Sequence, residues 1–556
     1  MPYLSRTVAE GHKPRVAVIG AGFAGLRCAD ILIQNGAQVV LFEARDRLGG
    51  RVHQSKIHDH LVDMGPNWIH GTGKNPIVSI AEATNTAVED FEGNQALIAP
   101  DGTPISDDVA EKVSDVLWTI IAKAFEYSNT YKETIPADRS LLDYIKEQVA
   151  QTDLSEEEKE LCVESSKMWG AYVGDPIERQ SLKFFCLEEC IDGNNYFVAS
   201  TYTRILEHVS KTACQHADIR LNQPIIKIES SVRVDTTAMP SSSTQVTLTT
   251  ASGETSNYDE VVVTCPLGWL KRNKDAFTPS IPARLSQAID SISYGRLEKV
   301  YITFPRAFWH TSNPASSSSP SPSTSTRTST TVPKPTPTPT YRSYQTPTFA
   351  QFLNPSYSTT HPPEIHWNQE CISLAALSSR QTAHPTLLFY TFGPSATHIV
   401  SQIAHLPPTS PEYYRQLHEI FHPFFARLHN YSPTAPECQP LAYLATTWQT
   451  DPYAGHGSYC NFQVGLQRGD RDIEVLRAGM GADRGVWFAG EHTAPFVALG
   501  TTTGAYWSGE RAAAGICELY GLGKVGLGVG GMRDDSLPSA GGVVVGREDL
   551  GVVGGA

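Results

Sequence analysis

The 556-residue chain reads as an α/β protein in which a Rossmann-type dinucleotide-binding domain is interleaved with a second, α+β domain. Three observations predict this. A GxGxxG run sits between a β-branched strand and a helical stretch near the start. A long helical segment then interrupts the strand pattern, and strand signals return only beyond residue 220. Near the other end, a short strand runs into a Gly-Glu turn and a helix that opens on small residues.

Arg15 to Ile19 is a short β-branched run, Ala24 to Asn35 has helical spacing and stops at Gly36, and Gln38 to Phe42 is apolar again. Together they make a βαβ opening. From Thr103 to Val209 the pattern turns helical, with Val109, Val113, Val116, Leu117, Ile120 and Ile121 on one stripe and Leu141, Leu142 and Ile145 on another. Strands are expected again at Ile225 to Ile228, Gln245 to Leu248, Glu260 to Thr264 and, in clear alternation, Lys299 to Phe304. Between Thr311 and Thr340, 25 of 30 residues are Ser, Thr or Pro, too few apolar groups to offset the entropy of ordering them. A disordered insertion is therefore expected over 311–345. A flexible tail is expected over 521–556, where 12 of 36 residues are Gly. The nucleotide-binding domain then takes 1–90, 215–290 and 441–520, and the second domain 91–214 and 291–440.

Lys and Arg number 44 against 58 Asp and Glu, a net charge of −14 that argues against a general binder of nucleic acid. The ten cysteines form no CxxC pair, so neither a metal site nor a disulfide framework is indicated. Cys186 and Cys190 are spaced as two thiols on one helix face. No apolar run is long enough to span a membrane. Met1 to Pro14 lacks the apolar core of a secretory leader, and Gly554-Gly555-Ala556 is no peroxisomal address, so a cytoplasmic protein is expected. The oligomeric state is not legible.

In the opening motif, Gly20 permits the tight turn, Gly22 lets a diphosphate approach the backbone, and Gly25 lets the helix pack closely on the sheet. Glu43 ends the next strand about twenty residues on, where a carboxylate accepts hydrogen bonds from ribose hydroxyls. These residues point to a dinucleotide but leave NAD and FAD open.

The run Glu43-Ala44-Arg45-Asp46-Arg47-Leu48-Gly49-Gly50-Arg51-Val52 resembles the extended FAD signature of the flavin-dependent amine oxidases. Val486 to Thr493 and Gly500 to Arg511 resemble the closing FAD segment of the same family. The resemblance implies a Rossmann-type FAD-binding domain with a substrate-binding domain of the amine oxidase type. It also implies FAD held noncovalently by Gly20, Gly22, Gly25, Glu43, Arg45, Gly50, Arg51, Ile225, Glu491 and Thr501.

On pattern alone Lys299 fits a solvated strand lysine. By resemblance it occupies the place of the family lysine that holds a water against flavin N5. Trp448 and Tyr459 match aromatic positions lining the substrate cavity, where aromatic walls orient an amine and exclude water. Thr501 stands where monoamine oxidases complete a two-tyrosine cage, and Ser458 where they carry a flavin-tethering cysteine. These departures point to the polyamine oxidase and lysine demethylase branches. Gly65 to Gly71 resembles the Trp-Ile-His-Gly segment of polyamine and spermine oxidases, which makes His70 a candidate for handling the substrate ammonium. No arginine of the kind L-amino-acid oxidases use for a carboxylate is visible there.

An aliphatic amine must lose its proton before hydride can leave the adjacent carbon, which costs roughly 4 to 5 kcal/mol at pH 7. A carboxylate farther along the cavity can hold a second, still protonated amine, and Glu188, Glu189 and Asp192 are the candidates. The implied activity is FAD-dependent oxidation of a polyamine by hydride transfer to flavin N5. The imine hydrolyses to aldehyde and amine, and dioxygen becomes hydrogen peroxide. A histone-lysine demethylase, a monoamine oxidase and a catalytically silent flavoprotein are the alternatives.

Overall fold

The computed structural model describes residues 13–91, 95–231, 246–310 and 348–523. The Ser/Thr/Pro segment expected over 311–345, and all but the first three residues of the Gly-rich tail, lie outside the described residues.

The opening motif belongs to a parallel five-stranded sheet ordered Val486–Phe488, Glu260–Val263, Arg15–Ile19, Gln38–Phe42 and Asp218–Arg220. Its central strands are continuous apolar runs because both faces are covered. Val16, Val18, Val39 and Leu41 pack against the helices Phe23–Gln34, Thr203–His216 and Thr502–Leu519. Ala17, Ile19, Val40 and Phe42 face the opposite way. There they meet Ile228, Val246 and Leu248 of an adjoining sheet, and Leu285, Ile289 and Leu476 of two further helices. Residues from both ends of the sequence thus share one sheet and one core.

The first and last of these helices approach closely because of Gly509. A Cβ at that position would lie 2.2 Å from the Ala24 carbonyl oxygen.

The expected helical segment is real but shorter than the pattern suggested. Helices span Asp107–Tyr131, Leu141–Ala150 and Glu156–Ser166, the last two started by capping boxes at Ser140 and Ser155. Beyond them the helix breaks at Gly174, in the left-handed region at φ 81°, followed by Pro176. Short turns and the strand Tyr196–Val198 replace the expected helix. Cys186 and Cys190 do not share a helix face. Cys186 sits in the turn Phe185–Glu188, and the chain is already extended at Glu189, with φ −61° and ψ 141°.

A six-stranded sheet runs Ala442–Ala445, Leu297–Thr303, Thr386–Phe392, Gln369–Ser373, Phe349–Phe352 and Gln95–Ile98. Val300, Ile302 and Phe304 pack with Phe421, Phe424 and Phe425 of the helix Pro411–Phe425. Leu297 and Tyr301 join Met64, Phe197, Tyr390 and Tyr459 on the other face. The alternation read from the sequence holds, yet neither face meets water. Ala442–Ala445 pairs with the strand of Lys299, so the boundary expected at residue 441 lies inside this sheet.

Gly509→Leu should wedge the two helices apart and destabilise the fold by about 1 to 3 kcal/mol, the usual range for overpacking. Chemical denaturation of the two proteins checks this, and equal unfolding free energies would show that the contact has slack.

Candidate active site

Where the segments around Gly20 and Glu491 meet, a cleft partly open to solvent is lined by Gly20, Gly22, Glu43, Arg45, Gly50, Arg51, Ile225, Glu491 and Thr501. Gly25 is close by but does not line it; its role is packing. A Cβ at Gly25 would lie 1.9 Å from the Gly20 carbonyl oxygen. Gly22 is different. Its backbone is extended (φ −79°, ψ −178°), and a Cβ there would meet only the Gly49 carbonyl oxygen at 3.9 Å. Nothing in the protein requires a glycine at this position, whereas an anionic group laid against the backbone does. The residues present therefore fit a dinucleotide.

Glu43 supports that fit. Its carboxylate accepts one hydrogen bond from the Ala21 amide (2.8 Å) and one from the Arg45 amide (2.9 Å), leaving lone pairs beside the cleft. Arg51 Nη1 lies 3.2 Å from Glu491 Oε1, and donates to Tyr294 Oη (3.1 Å) and the Ser458 carbonyl. Burial works against the Glu491 charge, but Arg51, His492 and the Cys460 donor together outweigh it and hold the carboxyl below its usual range. Arg45 does not point a free charge into the cleft, since its guanidinium is paired with Asp451 at 2.8 Å. Thr501 lines the cleft, but its hydroxyl is already engaged. It caps the helix Thr502–Leu519, accepting from the Gly504 amide at 2.9 Å and donating to the Ala498 carbonyl at 2.8 Å.

Lys299 is the most unusual residue of the second cluster, being only 2% exposed on a strand with both faces covered. Its Nζ donates to the Gly65 carbonyl and to Asn67 Oδ1, and lies 3.5 Å from the Asp63 carbonyl. Asn67 Oδ1 also accepts from Tyr390 Oη at 2.9 Å, and Tyr301 Oη donates to the Asp63 carbonyl at 2.6 Å. Burial pushes the lysine pKa well down and the neighbouring Asp63 carboxyl up, because neither charge is readily hydrated there. Lys299 does not line the cleft. It reaches the cleft wall through Gly65, whose neighbour Pro66 does line it.

Trp448 is also set back from the cleft. Its indole Nε1 donates to the Met64 carbonyl at 3.2 Å. The turn bearing it is organised by Glu298, which accepts from the amides of Trp448 (3.0 Å) and Gln449 (2.9 Å) and from the Thr446 hydroxyl. Burial raises the Glu298 carboxyl to about 7. Tyr459 does line the cleft, with its hydroxyl donating to the Tyr172 carbonyl. His70 is buried at the end of the strand Trp68–Ile69, where its carbonyl accepts from Asn75 Nδ2 at 3.0 Å.

The acids expected along the cavity are engaged elsewhere. Glu188 accepts from Gln180 at 3.2 Å and Glu189 from Asn129 at 2.8 Å, and none of Glu188, Glu189 and Asp192 lines the cleft. The acid beside the tyrosines is Glu370, which sequence reasoning missed. It is 6% exposed and accepts from Tyr172 Oη (3.3 Å) and Gln351 Nε2 (3.2 Å). No cation is paired with it among the described residues, and burial raises its pKa. A lone carboxylate inside the β-run Gln369–Ser373 was the available signal. Asn67 had a similar signal, as a polar residue between Pro66 and Trp68.

A parallel nucleotide-type sheet and a glycine cradle, with a buried lysine behind the cradle's wall, fit the class of nucleotide-binding proteins. The model of the flavin containing amine oxidoreductase family matches residues 23–517, and the chain belongs to that family. A flavin cofactor follows from that membership. The chain is 25% identical over 533 residues to "Probable polyamine oxidase 4" of Arabidopsis thaliana, covering 92% of this chain and 89% of that protein. It is 27% identical to "Protein FLOWERING LOCUS D" of the same plant, over 92% of this chain but 56% of the relative. Among solved structures, wild-type putrescine oxidase bound to putrescine is similar in fold, with a TM-score of 0.61, 16% identity and coverage of 91% of this chain and 99% of that one. Among the described residues, no helix is long and apolar enough to cross a membrane.

His492, wholly buried beside Glu491, has its pKa lowered from 6.5 to about 4 by burial. The folded protein therefore keeps this ring neutral at pH values where the unfolded chain protonates it. Its contribution to stability is complete above pH 6.5 and is lost as pH falls toward 4, at up to about 1.4 kcal/mol per pH unit. Unfolding measured from pH 7 to pH 4 should show a shallower loss in His492→Gln than in the parent; identical slopes would remove His492 from the account.

Proposed function

We propose that this amine oxidoreductase acts on a polyamine, with FAD held noncovalently in the cleft between the two ends of the chain. The observation that carries the substrate class is Glu370, a buried carboxylate with only neutral donors, set among Tyr172, Tyr390 and Tyr459. A buried anion without a partner is costly, and a substrate ammonium would offset that cost. The names of the polyamine oxidases to which the chain is similar support the same reading.

When bound, the flavin supplies the hydride acceptor and the route for electrons to dioxygen. The protein does the rest. Gly22 and Gly50 leave room for the diphosphate, Glu43 takes the ribose hydroxyls, and Arg51 supplies positive charge beside it. Tyr459 walls off water from the amine to be oxidised, which favours its neutral form, and Trp448 braces the segment behind it through the Met64 carbonyl. At the far side Glu370 keeps a second amine charged and so fixes which carbon is presented. Lys299 Nζ, held by Asp63, Gly65 and Asn67 and shifted below the usual lysine range, can give and take a proton near neutral pH. His70 lies on the segment that follows Asn67 and would tune the protonation of the bound amine.

The relatives also include a lysine-specific histone demethylase homologue of rice, of which this chain spans about half. A methyl-lysine peptide is therefore the control substrate. Peroxide release from spermidine, spermine and their N-acetylated forms should exceed that from simple monoamines, L-amino acids and the methylated peptide. Colour should leave the protein on acid precipitation. Colourless, folded protein would overturn the reading, and preference for a monoamine would overturn its substrate class.

Lys299→Met should greatly slow flavin reduction or reoxidation, seen by stopped-flow absorbance, while the protein stays yellow. Glu370→Gln should raise KM for the polyamine by about 10- to 100-fold, the value of a charge-assisted hydrogen bond, and change a monoamine far less. Equal effects on both substrates would show that Glu370 serves only the fold.

A further inference from the structure

Residues 451–458 form a strap that lines the cleft with Tyr453 and Ser458 and is fastened at several points to the first part of the sequence and to Arg272 and Tyr294. At its start, Asp451 accepts from Arg45 Nη2 with both oxygens, at 2.9 and 2.8 Å. Farther along, the Ala454 carbonyl accepts from Tyr294 Oη at 2.7 Å and the Gly455 carbonyl from Arg272 at 3.3 Å. At its end the Ser458 carbonyl accepts from Arg51. The two arginines that hold the strap at either end both line the cleft, as do Tyr453 and Ser458 of the strap itself.

The two ends are unequally secured. Ala454, Gly455, Gly457 and Ser458 are buried, whereas Pro452 and Tyr453 are exposed. Tyr453 is 40% exposed, and the Arg45 guanidinium lies over its ring at 5.4 Å from the centroid. The Asp451 end therefore has little apolar burial to hold it down, which is the condition for local opening. What closes it is the ion pair, whose side chains are 17% and 21% exposed and so within reach of salt.

We propose that Asp451 is the latch of this strap: its pairing with Arg45 keeps residues 451–458 closed over the cofactor, and loss of the pair lets the cofactor leave. The inference rests on the flavin reading above and goes beyond it in assigning a positioning role to a residue outside the glycine motifs. It also explains why Arg45 is tied to a carboxylate across 406 residues of sequence instead of offering its charge freely to the diphosphate.

Two accounts of Arg45 predict opposite signs. If the arginine serves only as a charge for the diphosphate, neutralising Asp451 strengthens its field and slows cofactor release. If the pair is a latch, neutralising Asp451 speeds release. Asp451→Asn separates them cleanly. An Asn Oδ1 can still accept from the Tyr453 and Ala454 amides, as Asp451 does at 2.9 and 3.1 Å, so the local turn survives and only the charge is removed.

The experiment loads the full-length parent, Asp451→Asn and Asp451→Glu with FAD, dilutes each, and follows the rise in free-flavin fluorescence at low salt and at about 1 M KCl. Asp451→Asn should release flavin about 3- to 10-fold faster than the parent at low salt, with little further response to salt. The parent should accelerate with salt, and Asp451→Glu should recover most of the retention. Release from Asp451→Asn that is unchanged or slower overturns the latch. So does a parent rate indifferent to salt, which needs no variant to fold. A parent that never carries flavin would sink the functional reading and the latch together, whereas loaded proteins with equal release rates sink the latch alone.

Discussion

The contact between Arg51 and Glu491 is the constraint on which the rest of the site depends, because it joins residues 440 positions apart at the base of one cleft. Glu491 is 3% exposed, so its charge survives only where neighbours replace the lost water. Arg51 supplies the opposite charge and the Cys460 amide a donor at 3.4 Å, while Arg51 is in turn held by Tyr294 and the Ser458 carbonyl. An ion pair of this kind adds little net stability over an apolar pair of the same shape. Leaving one member alone would cost about 3 to 5 kcal/mol. Its effect is therefore on which arrangement forms: the one in which the segments bearing Arg51 and Glu491 line the same cleft.

The second cluster follows the same logic with two adjacent residues. Glu298 and Lys299 are both buried, on a strand with apolar cover on either side, and alternation sends them to opposite faces. Each must find partners within the protein, and each orders a different segment in doing so. Lys299 gathers the carbonyls of Asp63 and Gly65 and the amide of Asn67, fixing the segment that leads to Pro66 at the cleft wall. Glu298 gathers the amides of Trp448 and Gln449, fixing the turn from which the strap departs. Two charges that the interior disfavours thereby position two loops, one of which reaches the cleft at Pro66.

Much of the fold was legible because local rules and burial agree. The β-branched strands, the glycine turn and the capped helices announce themselves within a few residues, and the period of Lys299 to Phe304 correctly separated its two faces. Where the reading failed, the decisive contact was distant. The run from Gly174 to Val198 keeps apolar spacing but is broken by Gly174 and Pro176, and its strand pairs with Trp68–Ile69. Thr501 lines the cleft, and the start of its own helix engages its hydroxyl, which the motif did not announce. Glu370 went unnoticed because a single acid in a strand carries no periodic signal. What sets it apart is having tyrosines and, among the described residues, no paired cation beside it, which is a property of its neighbours.

The sequence by itself determined the Rossmann-type opening and the glycine turn, since each is written in contiguous residues whose backbone needs are local, while resemblance to the family added the flavin motifs and the candidate lysine. Only the tertiary structure decided which charges are free and which are spent. Arg45 belongs to Asp451, Lys299 to a cluster of carbonyls, and Glu188 and Glu189 to amides away from the tyrosines. Charges act through space and are governed by burial, and neither distance nor burial is encoded in the order of residues along the chain.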